Sequence, residues 1–340
     1  MNHILGDSAP GALSDAGSDL LKRVHPGRKL GVVLGTAAGA LAVAALFNHL
    51  KANEAEGRSP PSGQFIDVDG VRLHYVDRGE GRPVVLLHGN GAMIQDMEVS
   101  GILPRAADRY RVIAFDRPGF GYSERPRSTI WTPSAQAELL QKALAMLGVE
   151  RPIVVGHSWG SLVALALALD YPADVAAIVL LSGYYFPTPR ADAVLSSPPA
   201  IPIIGDVMRY SVSPFLGRAM TPAVVKTLFG PSSVPKRFEA FPVEMALRPS
   251  QIRATAADTA LMIPAAAFLS QRYGELALPV VIVAGDGDKI ADFQHQSVRL
   301  HDVLPESILV CVPNAGHMIH YTDPDLVLAA IDLAAERSAE

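Results

Sequence analysis

Apolar residues recur along this chain in distinct rhythms, and each rhythm predicts a different kind of element. Residues 30–47 form a run of 18 positions without a charged side chain. As a helix rising ~1.5 Å per residue, such a run nearly matches a ~30 Å hydrocarbon core. Residues 65–68 and 71–76 alternate apolar and polar around Asp69-Gly70, which predicts a β-hairpin. Short unbroken apolar runs follow at 83–87, 112–115, 153–155, 177–181, 280–284 and 308–312. They suit strands buried on both faces, and the segments 133–147, 161–171 and 324–335 read as helices between them. The predicted class is α/β, a mostly parallel sheet covered by helices on both faces. Asp323 before Pro324 predicts an N-cap followed by a first-turn proline.

The rhythm breaks between Gly183 and Val280, an interval too long for a loop. It is punctuated by Pro198, Pro199, Pro202, Pro214, Pro222, Pro231 and Pro235, and closes with a helical stretch over 249–273. The expectation is an inserted helical cap, residues 184–277, over the carboxyl edge of the sheet, where ligands bind in open α/β folds. The predicted organisation is a cytoplasmic tail (1–29), a transmembrane anchor (30–47), a linker (48–63) ending in Pro60-Pro61-Ser62-Gly63, and an α/β core (64–183 and 278–340).

Charge orients the N-terminal run. Lys22, Arg23, Arg28 and Lys29 precede it, whereas Lys51, Glu54, Glu56 and Arg58 balance after it. The positive-inside bias therefore leaves the N-terminus cytoplasmic and the α/β domain on the outer, periplasmic or extracellular, side. Ala40-Leu41-Ala42 and Ala42-Val43-Ala44 resemble signal cleavage sites, so secretion after cleavage is the rival reading, and a buried or peripheral helix is a third. The run continues past both sites to Phe47, which favours an uncleaved anchor. Gly31, Gly35 and Gly39 would line one helix face and admit a homodimer, although glycine is common in membrane helices in any case. With 29 basic against 34 acidic residues and no basic cluster, nucleic acid is excluded as an expected partner. The single cysteine, Cys311, forms no intrachain disulfide and reads as a buried strand residue.

The chemistry concentrates at strand ends. Gly156-His157-Ser158-Trp159-Gly160 follows one predicted strand and opens a predicted helix, the context in which G-x-S-x-G lifts a serine oxygen above a sheet. A serine hydroxyl needs a base within hydrogen-bond reach and a carboxylate to fix the base's tautomer. Two later strands end in Gly285-Asp286-Gly287-Asp288 and in Pro313-Asn314-Ala315-Gly316-His317.

With these motifs, His88-Gly89-Asn90-Gly91, and the segment from Asp116-Arg117-Pro118-Gly119 to Ser123, the chain from about Phe65 onward resembles the α/β-hydrolase superfamily. The resemblance implies Ser158 as nucleophile, Asp288 rather than Asp286 as acid, and His317 as base. It also implies an oxyanion hole from the backbone amides of Asn90 and Trp159. His320, His157 and His88 are read as structural. Asn90 and Trp159 also resemble the halide-holding pair of haloalkane dehalogenases, but those enzymes attack with an aspartate, and Ser158 argues against that chemistry.

The expected function is a serine hydrolase acting through an acyl-enzyme on an apolar ester or similar acyl compound. No cofactor and no metal are expected. Phe215, Met220, Leu228, Phe229, Phe241 and Met262 of the cap suggest an apolar pocket. Carbon–carbon bond hydrolysis, cofactor-free peroxidase or perhydrolase chemistry, and a non-catalytic ligand-binding homologue are the alternatives.

Overall fold

The computed structural model describes residues 26–339; most of the expected cytoplasmic tail lies outside them. The strands are β1 (Gln64–Val68), β2 (Val71–Arg78), β3 (Pro83–Leu87), β4 (Arg111–Phe115), β5 (Ile153–His157), β6 (Ala177–Leu181), β7 (Val280–Gly285) and β8 (Ile308–Val312). They form one sheet in the order β1-β2-β4-β3-β5-β6-β7-β8. β2 runs antiparallel to both β1 and β4, and every other pairing is parallel. The hairpin turns at Asp69 and Gly70, both at positive φ.

The buried strands split their side chains by alternation. Val85 and Leu87 of β3 enter one core layer while Val84 and Leu86 enter the other, as a period of two requires. The first layer is closed by α4 (Pro133–Met146) and α5 (Trp159–Asp170), the second by α2 (Ile94–Val99), α3 (Ile102–Ala107) and α13 (Pro324–Arg337). α5 is apolar nearly all round and buried from Trp159 to Leu169, the mark of a helix enclosed by protein. α13 begins as its sequence predicts, Asp323 accepting a bond from the Leu326 amide.

The cap contains α6 (Ala191–Ser196), α7 (Ile204–Tyr210), α8 (Val212–Phe229), α9 (Val243–Ala246) and α10 (Pro249–Leu269). The short helices α11 (Arg299–Val303) and α12 (Ile319–Thr322) complete the core. α10 is long and apolar enough to cross a membrane, yet its Asp258 is fully buried against Arg117, so one side of it packs firmly on the protein.

Two expectations are corrected. Residues 48–58 are not a linker: α1 runs unbroken over Pro26–Arg58. The segment is polar, but its Leu, Lys, Ala and Glu are strong helix formers, and tertiary contacts hold it. Asn48 and Ala55 are buried. Asn48 Nδ2 donates to the Tyr210 and Ser211 carbonyls at 3.0 and 2.8 Å, Glu56 pairs with Arg248 at 2.7 Å, and Phe47 stacks on Phe215. Upstream, the helix is uncovered, with 6% of its most apolar window buried. Cys311 is exposed rather than buried, because β8 is the sheet's edge strand and its middle is incompletely covered.

Candidate active site

Parallel pairing sets the C-terminal ends of β3, β5, β7 and β8 along one edge of the sheet. β3 and β5 are neighbours in a register that places Leu87 beside Gly156, so the turn after β3 lies against the turn after β5. Ser158 sits between β5 and α5 with φ 54° and ψ −117°, a backbone region that L-residues rarely occupy. The flanking glycines make this turn possible. A Cβ on Gly156 would lie 2.4 Å from the Gly160 carbonyl oxygen, and one on Gly160 would lie 2.3 Å from that of Leu87.

The Ser158 hydroxyl lies 2.9 Å from His317 Nε2, and His317 Nδ1 lies 2.8 Å from Asp288 Oδ2. Asp288 and His317 are buried, whereas Ser158 is half-buried and faces a cavity. Asp288 Oδ1 accepts from the amides of Ile290 and Ala291 at 2.7 and 3.0 Å. The carboxylate is thus fixed by its own loop and presents its second oxygen to the imidazole. Asp286 instead accepts from the Asn314 amide at 2.7 Å, bracing the two strand-end turns. The His317 amide donates to the Leu228 carbonyl at 2.8 Å, which ties the histidine to the end of cap helix α8.

Trp159 occupies the first position of α5, where a backbone N–H has no partner within its helix. The Asn90 turn abuts the elbow, since a Cβ on Gly89 would come within 3.2 Å of that of Ser158. The turn after β3 and the start of α5 therefore meet at the serine. The Asn90 side chain points elsewhere, its Nδ2 donating to the Thr255 carbonyl and Thr259 Oγ1 of α10 at 3.1 and 2.9 Å. That contact joins the Asn90 loop to the cap.

The Asp116–Ser123 segment proves to be a buried clamp beneath this loop. Asp116 accepts from the Ile94 and Tyr122 amides at 2.8 and 3.0 Å and contacts His74 Nδ1 at 2.6 Å. Arg117 donates to the carbonyls of His88 and Gly89 at 2.9 and 3.1 Å and to Asp258 at 2.7 Å. His88 donates from Nδ1 to the Gly89 carbonyl and accepts the Arg117 amide at Nε2. Burial, reinforced by the Arg117 charge, pushes its pKa down to about 3.

A second buried group lies behind His317. Asp96, His157 and His320 bring ligand-type atoms within 4.8 Å of one another. One of these contacts is already a hydrogen bond, His320 to Asp96 at 2.9 Å, and His157 Nε2 donates outside the group to the His317 carbonyl at 3.1 Å. Burial, with His320 and His317 adding to it, drives the His157 pKa well below its ordinary value. Sequence reading assigned these histidines to structure but missed Asp96, since nothing in the local pattern links positions 96, 157 and 320.

The cavity in front of Ser158 measures about 240 Å³. Leu228, Phe241 and Met262 line it. The other expected pocket residues lie elsewhere. Phe215 and Met220 are exposed, and Phe229 is buried against Met318 and Tyr321, because α8 meets the site only at its C-terminal end.

The fold and this strand-end array define a hydrolase of the α/β class. The family model described as "alpha/beta hydrolase fold" matches residues 82–324, and the chain belongs to that family. It is similar to haloalkane dehalogenase 2 of Mycobacterium tuberculosis (strain ATCC 25618 / H37Rv), with 29% identity over 287 residues, 80% of this chain and 94% of that protein. It is also similar to 2-hydroxymuconate semialdehyde hydrolase of Pseudomonas putida, 37% identical over 135 residues, 39% of this chain and 48% of that protein. Among solved structures, a membrane phospholipase A described as a bacterial virulence factor shares the fold with TM-score 0.63 and 22% identity, over 92% of this chain and 98% of that one.

Proposed function

We propose that the protein is a membrane-anchored serine hydrolase that cleaves an ester or similar acyl substrate through an acyl-enzyme. The observation that carries this reading is the unbroken relay from Ser158 through His317 to Asp288, with contacts of 2.9 and 2.8 Å. His317 takes the hydroxyl proton at Nε2 as Ser158 Oγ attacks the carbonyl carbon, while Asp288 holds the ring by its Nδ1–H. Charge developing on the carbonyl oxygen is met by the amides of Asn90 and Trp159; one such donor is typically worth about 10²–10³ in turnover. The protonated His317 then gives its proton to the leaving alcohol, leaving an acyl group on Ser158. Water, deprotonated by His317, attacks the acyl carbon, and the acid leaves as the bond to Ser158 Oγ breaks and His317 returns the proton to that oxygen.

The cavity of about 240 Å³ falls below the ~300–1,000 Å³ common for drug-sized ligands, which favours a short acyl chain. α1 supplies the anchor, with the N-terminus cytoplasmic and the hydrolase on the outer side. The likeness to the membrane phospholipase A, whose structure shares the fold over 92% of this chain, supports a lipid-associated acyl ester. The similarity to the 2-hydroxymuconate semialdehyde hydrolase favours carbon–carbon bond hydrolysis as the second reading, because the same three side chains can serve it.

The test is labelling by a fluorophosphonate probe together with turnover of p-nitrophenyl esters of graded chain length. The ester reading requires that wild type label and turn over short esters while Ser158→Ala does neither. Labelling without any ester turnover would move the assignment to carbon–carbon hydrolysis, and a folded wild type that fails to label would remove the enzyme reading. Recovery of full-length protein from membranes only with detergent supports the anchor; release by carbonate or salt would overturn it.

A further inference from the structure

The cap carries an apolar surface that its own fold leaves uncovered. Leu195 on α6 is 81% exposed, Ile203 just before α7 is 78% exposed, and Ile204, Val207, Leu216 and Met220 on α7 and α8 are exposed as well. Ile203 also holds φ +69°, a costly conformation for a β-branched residue, and its side chain stands largely in the open. Over helices α6 to α8 the charged side chains are Asp192, Asp206, Arg209, Arg218 and Lys226. Four are engaged in ion pairs, Asp192 with Arg190, Asp206 with Arg127 and Arg209, and Arg218 with Glu244, while Lys226 is exposed near the C-terminal end of α8. A surface this apolar and this depleted of free charge marks a site of contact with another phase or partner.

Its position identifies the occupant. α1 packs directly on α7 and α8, through the Asn48 bonds to Tyr210 and Ser211 and the Phe47–Phe215 stack. The uncovered apolar stretch of α1 ends at Phe47, the residue that stacks on the cap, and the helix has no break there. A bilayer holding that stretch therefore has its boundary at the level of α7 and α8. From these relations, and resting on the anchor reading above, we infer that the α6–α8 face of the cap lies in the bilayer interface, embedded among lipid acyl chains beside the anchor. Two of the helices that carry this face also border the active-site cavity, since Asp192 and Ser196 of α6 and Leu228 of α8 line it. Substrate dissolved in the membrane thus reaches Ser158 from the lipid side.

The test uses full-length protein reconstituted in phosphatidylcholine–phosphatidylglycerol vesicles. An environment-sensitive fluorophore is placed by Ile203→Cys, Leu216→Cys, Val43→Cys or Met146→Cys in a Cys311→Ser background. Labels at 203, 216 and 43 are expected to be quenched about twofold or more by doxyl-labelled lipid, and the label at 146, on core helix α4, to be quenched only by aqueous iodide. Iodide access at 203 and 216 with lipid quenching kept at 43 would overturn the cap assignment and leave the anchor intact. Loss of lipid quenching at 43 as well would overturn the anchor and the cap assignment together. Shielding of 203 and 216 from both quenchers would assign the face to a protein partner, such as a second copy, instead of lipid. The paired change Ile203→Asp with Leu216→Asp should lower hydrolysis of vesicle-borne p-nitrophenyl octanoate about tenfold and leave soluble p-nitrophenyl butyrate unchanged. Equal effects on both esters would also overturn the inference.

Discussion

Arg117 and Asp258 meet at 2.7 Å with both side chains fully buried, joining the loop after β4 to cap helix α10. Arg125 reaches the same carboxylate at 2.8 Å, so two guanidinium groups depend on one acid. Removing the acid strands buried positive charge beneath the loop that carries Asn90. Asp258→Ala is expected to cost about 3–5 kcal/mol, read as a lower urea midpoint at unchanged slope. A loss below about 1 kcal/mol would mean that water or another group satisfies the pair.

The Asp288 carboxylate fixes which nitrogen of His317 faces the serine. Asp288→Asn keeps the shape of the group but favours the tautomer with its proton on Nε2. Turnover of an activated ester should fall roughly 10⁴-fold while the circular dichroism spectrum stays unchanged. Asp286→Asn, made in parallel, should keep most of the activity, because Asp286 bonds only the Asn314 amide.

Burial holds His88 and His157 neutral, with the His88 pKa down to about 3. In the unfolded chain both titrate near ~6.5. Between these values the unfolded state binds more protons than the folded one, so stability rises with pH across that window. On acidification below ~6.5, each histidine is expected to remove up to ~1.4 kcal/mol per pH unit. Denaturant titrations between pH 7 and pH 4 should show this slope, and His88→Gln should flatten part of it; equal slopes in the two proteins would refute the assignment.

Asn48 offers two donor bonds to cap carbonyls and accepts from Arg218 at 2.9 Å. Asn48→Ala leaves these buried groups unpaired, at a cost of about 1–3 kcal/mol. Hydrogen exchange should accelerate in α7, in α8 and in the part of α1 beyond Phe47. The strands of the sheet should exchange as before.

Much of this molecule was legible from local pattern. The strand runs, the Ser158 elbow and the two strand-end turns depend on neighbours in sequence, and parallel pairing then does the rest by bringing strand ends to one edge. What escaped depends on distant partners. Residues 48–58 look like a linker because their polarity is visible and the cap residues that hold them, about 160 positions away in the case of Asn48, are not. Cys311 was misplaced because an edge strand has the same composition as a central one. Asp96 and Asp258 become meaningful only beside His320 and Arg117, and Phe215 and Met220 carry no sign of which way α8 would turn.

The unbroken course of α1 through Arg58 has a mechanical consequence. At ~1.5 Å per residue its 33 residues span about 50 Å, so under the proposed anchor reading a bilayer would enclose only part of a rod whose far end is bolted to the cap. Without a flexible joint, any tilt that a thinner or thicker membrane imposed on such an anchor would be passed to the whole hydrolase body as a rotation. Lipid thickness would thereby set the height and angle at which the cavity mouth meets the headgroups.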